Sequence, residues 1–115
     1  MTMSDIDNIT QQLIKFRDER DWAQFHDSKN LALALLLEAS ELNELFLWKQ
    51  EEAQIESVDE HRLAEELADV IAYALLLAEK HQLNVTTILE KKIQQNKEKY
   101  PIDKAKGSSK KYNEL

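Results

Sequence analysis

Of the 115 residues only one is glycine and only one is proline, and that scarcity limits the fold more than any other feature. Hairpins and tight turns draw on residues that tolerate positive φ or preset it, so a sheet of many strands has nothing here to turn its corners with. Long helices remain. The chain reads as all-α, of four-helix-bundle type, with one helical domain over residues 1–101 and a basic, mobile tail over 102–115.

Local signals place the helices. Ser4 with Asp7 resembles a cap and opens helix one, about 5–20, whose apolar stripe is Ile9, Leu13, Phe16 and Ile14. An aromatic connector, RDWAQFHDSKN, precedes helix two, expected from Leu31 to Gln50 with Ser28 or Asn30 as cap. The acidic stretch EEAQIES breaks the pattern. Ser57 with Glu60 matches a capping box for helix three, at about 58–82, and helix four follows the turn at Asn84 and stops at Pro101.

Composition narrows the function. The absence of cysteine removes disulfides, thiolate zinc sites and cysteine nucleophiles, and fits a cytoplasmic setting. A net charge of −7 disfavours nucleic-acid or anionic-membrane surfaces, but not an anionic substrate delivered with a divalent cation. The N-terminal MTMSDIDNITQQL lacks the basic flank and apolar core of a signal peptide, and the apolar runs at 31–37 and 70–78 are too short to span a bilayer.

Helix two carries the central anomaly, because "LLLEASELNELFLWK" sets Glu38, Glu41 and Glu44 in a leucine run. At about 100° per residue, Leu35, Leu42 and Leu45 share the Glu38 side, while Leu33, Leu36 and Leu47 lie opposite. Leucine on both sides points to a partner for the second face, hence a homo-oligomer, a dimer or a dimer of dimers.

A buried carboxylate needs a proton, a partner or a metal. Helix three repeats the spacing with Glu66 and Asp69, so antiparallel packing of the two helices would gather four carboxylates. Such hard oxygen donors suit Mg²⁺, or Mn²⁺ in its place. An isolated acidic pair is ordinarily a solvated helix face, but two copies within apolar runs favour a site. Glu44 is ambiguous; Glu51, Glu52 and Glu65 look like solvated charge. A di-iron bundle would need Glu-x-x-His pairs, and the residues three before His26, His61 and His81 are Ala23, Val58 and Ala78.

Spacing adds candidates for a substrate. Trp48 is seven residues beyond Glu41, nearly on the same stripe and about 10 Å further along the axis, where a base could stack. Tyr73 follows Asp69 by four residues. Lys92, Asn96 and Tyr100 form a stripe able to meet phosphate oxygens. Each has a plainer reading as core aromatic or solvated charge, and His26 reads as a surface group or a substrate contact.

The two spaced pairs, E-A-S-E and E-L-A-D, resemble the signature of the MazG-like all-α nucleotide pyrophosphohydrolases. The stretches "RDWAQFHDSKNLALALLLEASELNELFLWK", "EELADVIAYALLLA", "NKEKYP" and "SSKKYNEL" are similar to the dCTP pyrophosphatase branch, from about residue 17 to the C-terminus. The resemblance implies a tetramer built from dimers and Mg²⁺-dependent cleavage of a (deoxy)nucleoside triphosphate to monophosphate and pyrophosphate. It further implies that Glu38, Glu41, Glu66 and Asp69 hold the metal and that Trp22 and Trp48 line a base pocket. Tyr73 would then pack near the sugar, Lys92 and Asn96 approach phosphate, and Lys110, Lys111 and Tyr112 fold over the site. Leu13 departs from the animal members, which carry a polar aromatic there, and the connector between helices two and three is shorter; both bear on base selectivity. Related enzymes acting on dUTP or phosphoribosyl-ATP, and a non-enzymatic helical interaction module, remain as alternatives.

Overall fold

The computed structural model describes residues 3–115; Met1 and Thr2, the start of the stretch read as no signal peptide, lie outside the described residues. All regular structure among these residues is helical: α1 (Asp5–Glu19), α2 (Ser28–Glu44), α3 (Glu52–Ile55), α4 (Glu60–Lys80), α5 (Val85–Lys99) and α6 (Ile102–Ala105), with 3-10 turns at Ala23–Phe25 and Tyr112–Glu114. The chain divides into two compact units, one ending at Gln82 and the other comprising Leu83–Leu115. No described helix is long and apolar enough to cross a membrane.

In the first unit α2 packs along α4, and α1 packs on α4 less extensively. The start of α2 meets the end of α4, where the Ser28 hydroxyl lies 2.8 Å from His81 Nε2, so the two helices run antiparallel. Their seam is the core: Leu31, Leu45, Leu75, Leu76 and Ala78 are its buried apolar side chains. Each such leucine contributes about 1.5–3 kcal/mol relative to an exposed one.

The opposite side of α2 stays open. Leu33, Leu36 and Leu47 are 48%, 64% and 55% exposed, whereas Leu35 and Leu42 are partly covered and Leu45 is buried. The leucines thus divide along the two faces expected from their spacing, and only one face finds its cover within the described chain.

Three boundaries differ from the expectation, each for a local reason. Helix α2 starts earlier than Leu31 because Asp27 is its cap, its carboxylate accepting from the Asn30 backbone N–H at 2.7 Å. Ser28 is occupied with His81, and the Asn30 amide donates to the Phe25 carbonyl instead. The helix also stops at Glu44 rather than Gln50, because three-residue bonds tighten the chain from Leu45 to Lys49. Trp48 then takes a left-handed backbone with φ of 67°, which ends helical propagation.

Helix α4 starts at Glu60, so Glu60 stands too early to complete a box with Ser57. Asp59 caps it, accepting from His61 N–H at 2.9 Å, while the Ser57 hydroxyl donates to the Gln54 carbonyl. The acidic connector is partly ordered as α3. At α1 the Ser4–Asp7 cap forms as a reciprocal box.

In the second unit, Asn84 is itself the cap of α5, accepting from Thr87 N–H at 2.9 Å, and the helix ends at Lys99 ahead of Pro101. The segment after Pro101 holds α6 and the last 3-10 turn. Tyr112 meets Tyr100 edge-on at 6.2 Å, with the Lys99 ammonium 4.9 Å from the Tyr112 ring.

Candidate active site

Antiparallel packing of α2 on α4 brings the two acidic pairs to the same level of the seam. Glu38, Glu66 and Asp69 each offer a carboxylate oxygen, and these oxygens lie within 4.8 Å of one another. Glu41 is not part of that close group but borders it, near enough to act on both Glu38 and Glu66.

The electrostatics of this group are unfavourable as it stands. Glu38 is held above the usual carboxylate range by burial first, then by the neighbouring Glu41 carboxyl and the charges of Asp69 and Glu66. Glu66 is raised by burial and then by Glu41 and Asp69, with Arg62 opposing. Oε2 of Glu38 and Oε2 of Glu66 are buried with no hydrogen-bond partner. Buried acceptors without donors are costly, and like charges this close resist joint ionisation. A divalent cation relieves both problems at once, and an all-oxygen donor set suits Mg²⁺ or Mn²⁺. The residues fit such an ion.

A pocket of about 280 Å³ adjoins this cluster and includes Asp69 in its lining. Helix α1 supplies Leu13, Phe16 and Arg17; the connector supplies Trp22 and His26; α4 supplies Ala72, Tyr73 and Leu76. Phe16 and Trp22 meet edge-on with centroids 5.7 Å apart, and Arg20 lies over the other partner, 3.8 Å from the Phe16 ring centre. The Trp22 backbone N–H donates to the Arg17 carbonyl at 3.1 Å, which ties the connector's backbone to the end of α1. Tyr73 stands edge-on to His26, its phenol pushed up by burial and by the nearby Glu38 and Asp69 charges, so it is a neutral donor at physiological pH. His26 is pushed down by burial, then by Arg17 and Lys80, so its imidazole is neutral.

A metal-compatible carboxylate cluster opening onto an aromatic pocket agrees with what related sequences show. The sequence model of the MazG-like family matches residues 33–115. The chain belongs to the MazG-like family.

Its relatives share nearly all of the MazG-like chain. A dCTP pyrophosphatase 1 from Bos taurus is 38% identical, over 96% of this chain and 68% of that protein. One from Homo sapiens is 40% identical, over 96% and 67% respectively. These place the chain in the dCTP pyrophosphatase branch. A pyrophosphatase from Archaeoglobus fulgidus has a similar solved structure, with a TM-score of 0.83 and 31% identity, covering 88% of this chain and 96% of that one.

The unit ending at Gln82 therefore brings together seven of the residues singled out from sequence: the four carboxylates, Trp22, His26 and Tyr73. Trp48 stands apart. The stripe that aligned it with Glu41 requires α2 to continue, and the helix ends at Glu44. Its indole is 87% exposed. Lys92 and Asn96 are exposed on α5 in the second unit, as are Lys110 and Lys111 in its final segment. Glu44 is exposed, and Glu65 pairs with His61 at 3.0 Å on the surface. Sequence reasoning passed over Arg17 and Phe16 as pocket residues. Leu13 and Arg17, four apart on one helix face, carried the signal for it.

Proposed function

We propose that this MazG-like chain is a Mg²⁺-dependent nucleoside triphosphate pyrophosphohydrolase, converting a (d)NTP and water to the (d)NMP and pyrophosphate, with dCTP the favoured class of substrate. The enzyme class, a nucleotide pyrophosphatase, follows from its family and relatives. The observation that carries the finer reading is the union of a carboxylate trio, two of whose members keep an unpartnered buried oxygen, with an aromatic pocket that shares Asp69.

Glu38, Glu66 and Asp69 would hold the ion, with Glu41 beside them. When bound, Mg²⁺ neutralises phosphate charge and acidifies a water. Glu41, which borders the trio, would accept the proton of the attacking water. Trp22 and Phe16 supply an apolar wall for a base, and Tyr73 donates toward sugar or phosphate from between pocket and carboxylates. By resemblance to the family, Trp48, Lys92 and Asn96 would add further substrate contacts.

The open face of α2 supports a homo-oligomer, with a second copy covering Leu33, Leu36 and Leu47 and two such dimers forming a tetramer. The enzyme would act in the cytoplasm on free nucleotides, keeping the pool clean, and its net charge of −7 fits a protein that does not bind nucleic acid.

The test is to incubate the purified protein with Mg²⁺ and each dNTP and NTP and to resolve the products by chromatography. Monophosphate with pyrophosphate, lost on chelation and greatest for dCTP, is the expected result. Diphosphate with orthophosphate, or no turnover of any nucleotide, would overturn the proposal.

A further inference from the structure

Arg17 has no role in the reaction as described, yet it lies on the wall of the aromatic pocket. Its side chain is only 17% exposed and is held in place by two acidic neighbours. Nε donates to Asp18 Oδ1 at 2.9 Å, and Nη1 stands 3.7 Å from Glu79 Oε2. That second distance is an ion pair but exceeds a hydrogen bond. Neither Nη group therefore makes a hydrogen bond among the described residues, although each carries two donors. The same residue's backbone carbonyl accepts from the Trp22 backbone N–H, so the two residues that line the pocket are joined through their main chains.

Among the described residues that line it, the pocket holds no other cationic group. His26 beside Arg17 is neutral, and the remaining lining is apolar or aromatic apart from Asp69, at the metal end, and the Tyr73 hydroxyl. A planar donor fork in an apolar slot recognises two adjacent acceptors lying in one plane. Cytosine offers such a pair in O2 and N3. Uracil and thymine have the same ring size, but their N3 carries a hydrogen that would face the fork donor to donor. Guanine offers an equivalent pair in O6 and N7, so cytosine against uracil is the comparison that isolates this contact from size.

We propose that Arg17 is a specificity-determining residue whose two Nη groups donate to O2 and N3 of a cytosine ring. This rests on the pyrophosphohydrolase reading above and assigns its base preference to one side chain.

The experiment measures kcat/KM for dCTP, dUTP and 3-deaza-dCTP, in which N3 is replaced by C–H, on the wild type and on Arg17→Gln. The wild type should favour dCTP over both others by roughly 10- to 100-fold, the worth of a charge-assisted hydrogen bond. In Arg17→Gln, the three values should converge to within about threefold, chiefly by loss on dCTP. A folded variant, with native helicity and turnover of dUTP, that keeps the wild-type ratio would overturn the assignment. If the variant does not fold, the wild type decides alone, because equal kcat/KM for dCTP and 3-deaza-dCTP overturns it equally. Absence of turnover by the wild type on every nucleotide instead overturns the enzymatic reading, and is distinguishable on the first plate.

Discussion

Glu38 on α2 and Glu66 on α4 face each other across the helix seam, each with one carboxylate oxygen buried and without a hydrogen-bond partner. Two acids in that position weaken the fold that holds them. The stability of the metal-free protein should therefore respond to anything that discharges them.

Acidification is the simplest such change. Both groups are raised above their ordinary values, so between pH 4.5 and their folded-state values the native chain holds more protons than the unfolded one. Stability then falls as pH rises through that window and levels off above it. Thermal melts in chelator should show a higher Tm at mildly acidic pH, just above 4.5, than at neutral pH, and saturating Mg²⁺ should flatten the difference. A Tm independent of pH in chelator would contradict the strained cluster.

Neutral replacement separates stability from chemistry. Glu38→Gln keeps the shape, removes one negative charge and can donate to its neighbours. Its metal-free Tm should rise by on the order of a few °C, while kcat falls by roughly 100-fold or more with Mg²⁺ present. Glu41→Ala should abolish turnover while leaving far-UV helicity intact. Full activity in Glu41→Ala would remove Glu41 as proton acceptor.

Tyr73 offers a single hydroxyl to the substrate. Because that phenol is kept neutral by burial and by the Glu38 and Asp69 charges, Tyr73→Phe removes a donor and nothing else. We expect KM for the triphosphate to rise about 2- to 10-fold with Tm nearly unchanged. An unaltered KM would leave Tyr73 as a packing residue.

The exposed leucines test assembly. Leu36→Glu places a charge on the open face of α2, where the native side chain is 64% exposed. Light scattering after gel filtration should show the wild type as an oligomer and the variant as a smaller species with its helical content retained. A wild type that runs as a monomer would contradict the oligomer.

Trp48 combines a left-handed backbone with an exposed indole. Strain of this kind costs about 1–2 kcal/mol for a non-glycine residue. Trp48→Gly should therefore leave Tm within a few °C of the parent, because relief of strain offsets the greater freedom of the unfolded chain. If the indole contacts the base, KM for dCTP should rise by at least tenfold in the same variant. A large loss of Tm with unchanged KM would make it a packing or interface residue.

Much of this protein was legible in one dimension. A single glycine and a single proline excluded sheets, and helical spacing alone sorted the leucines of α2 into two faces. The same periodicity identified the paired carboxylates, because position on a helix is a local property set by 100° steps. Boundaries were less legible. Asp27, Asp59 and Asn84 act as caps through hydrogen bonds that compete with other uses of nearby Ser and Asn side chains, and Ser28 was taken by His81, far away in the chain.

What only the tertiary structure decided was proximity. Which carboxylates share 4.8 Å, that Glu41 borders the trio, and that Trp22, His26 and Tyr73 meet in one pocket all depend on the register of α2 against α4 and α1 against α4. So does the place of Arg17, an ordinary helix cation in the sequence that packing turns into a clamped donor on the pocket wall. Periodicity can tell which way a side chain points, but what it meets there depends on contacts between segments distant in the chain, and those are settled only when the helices close on one another.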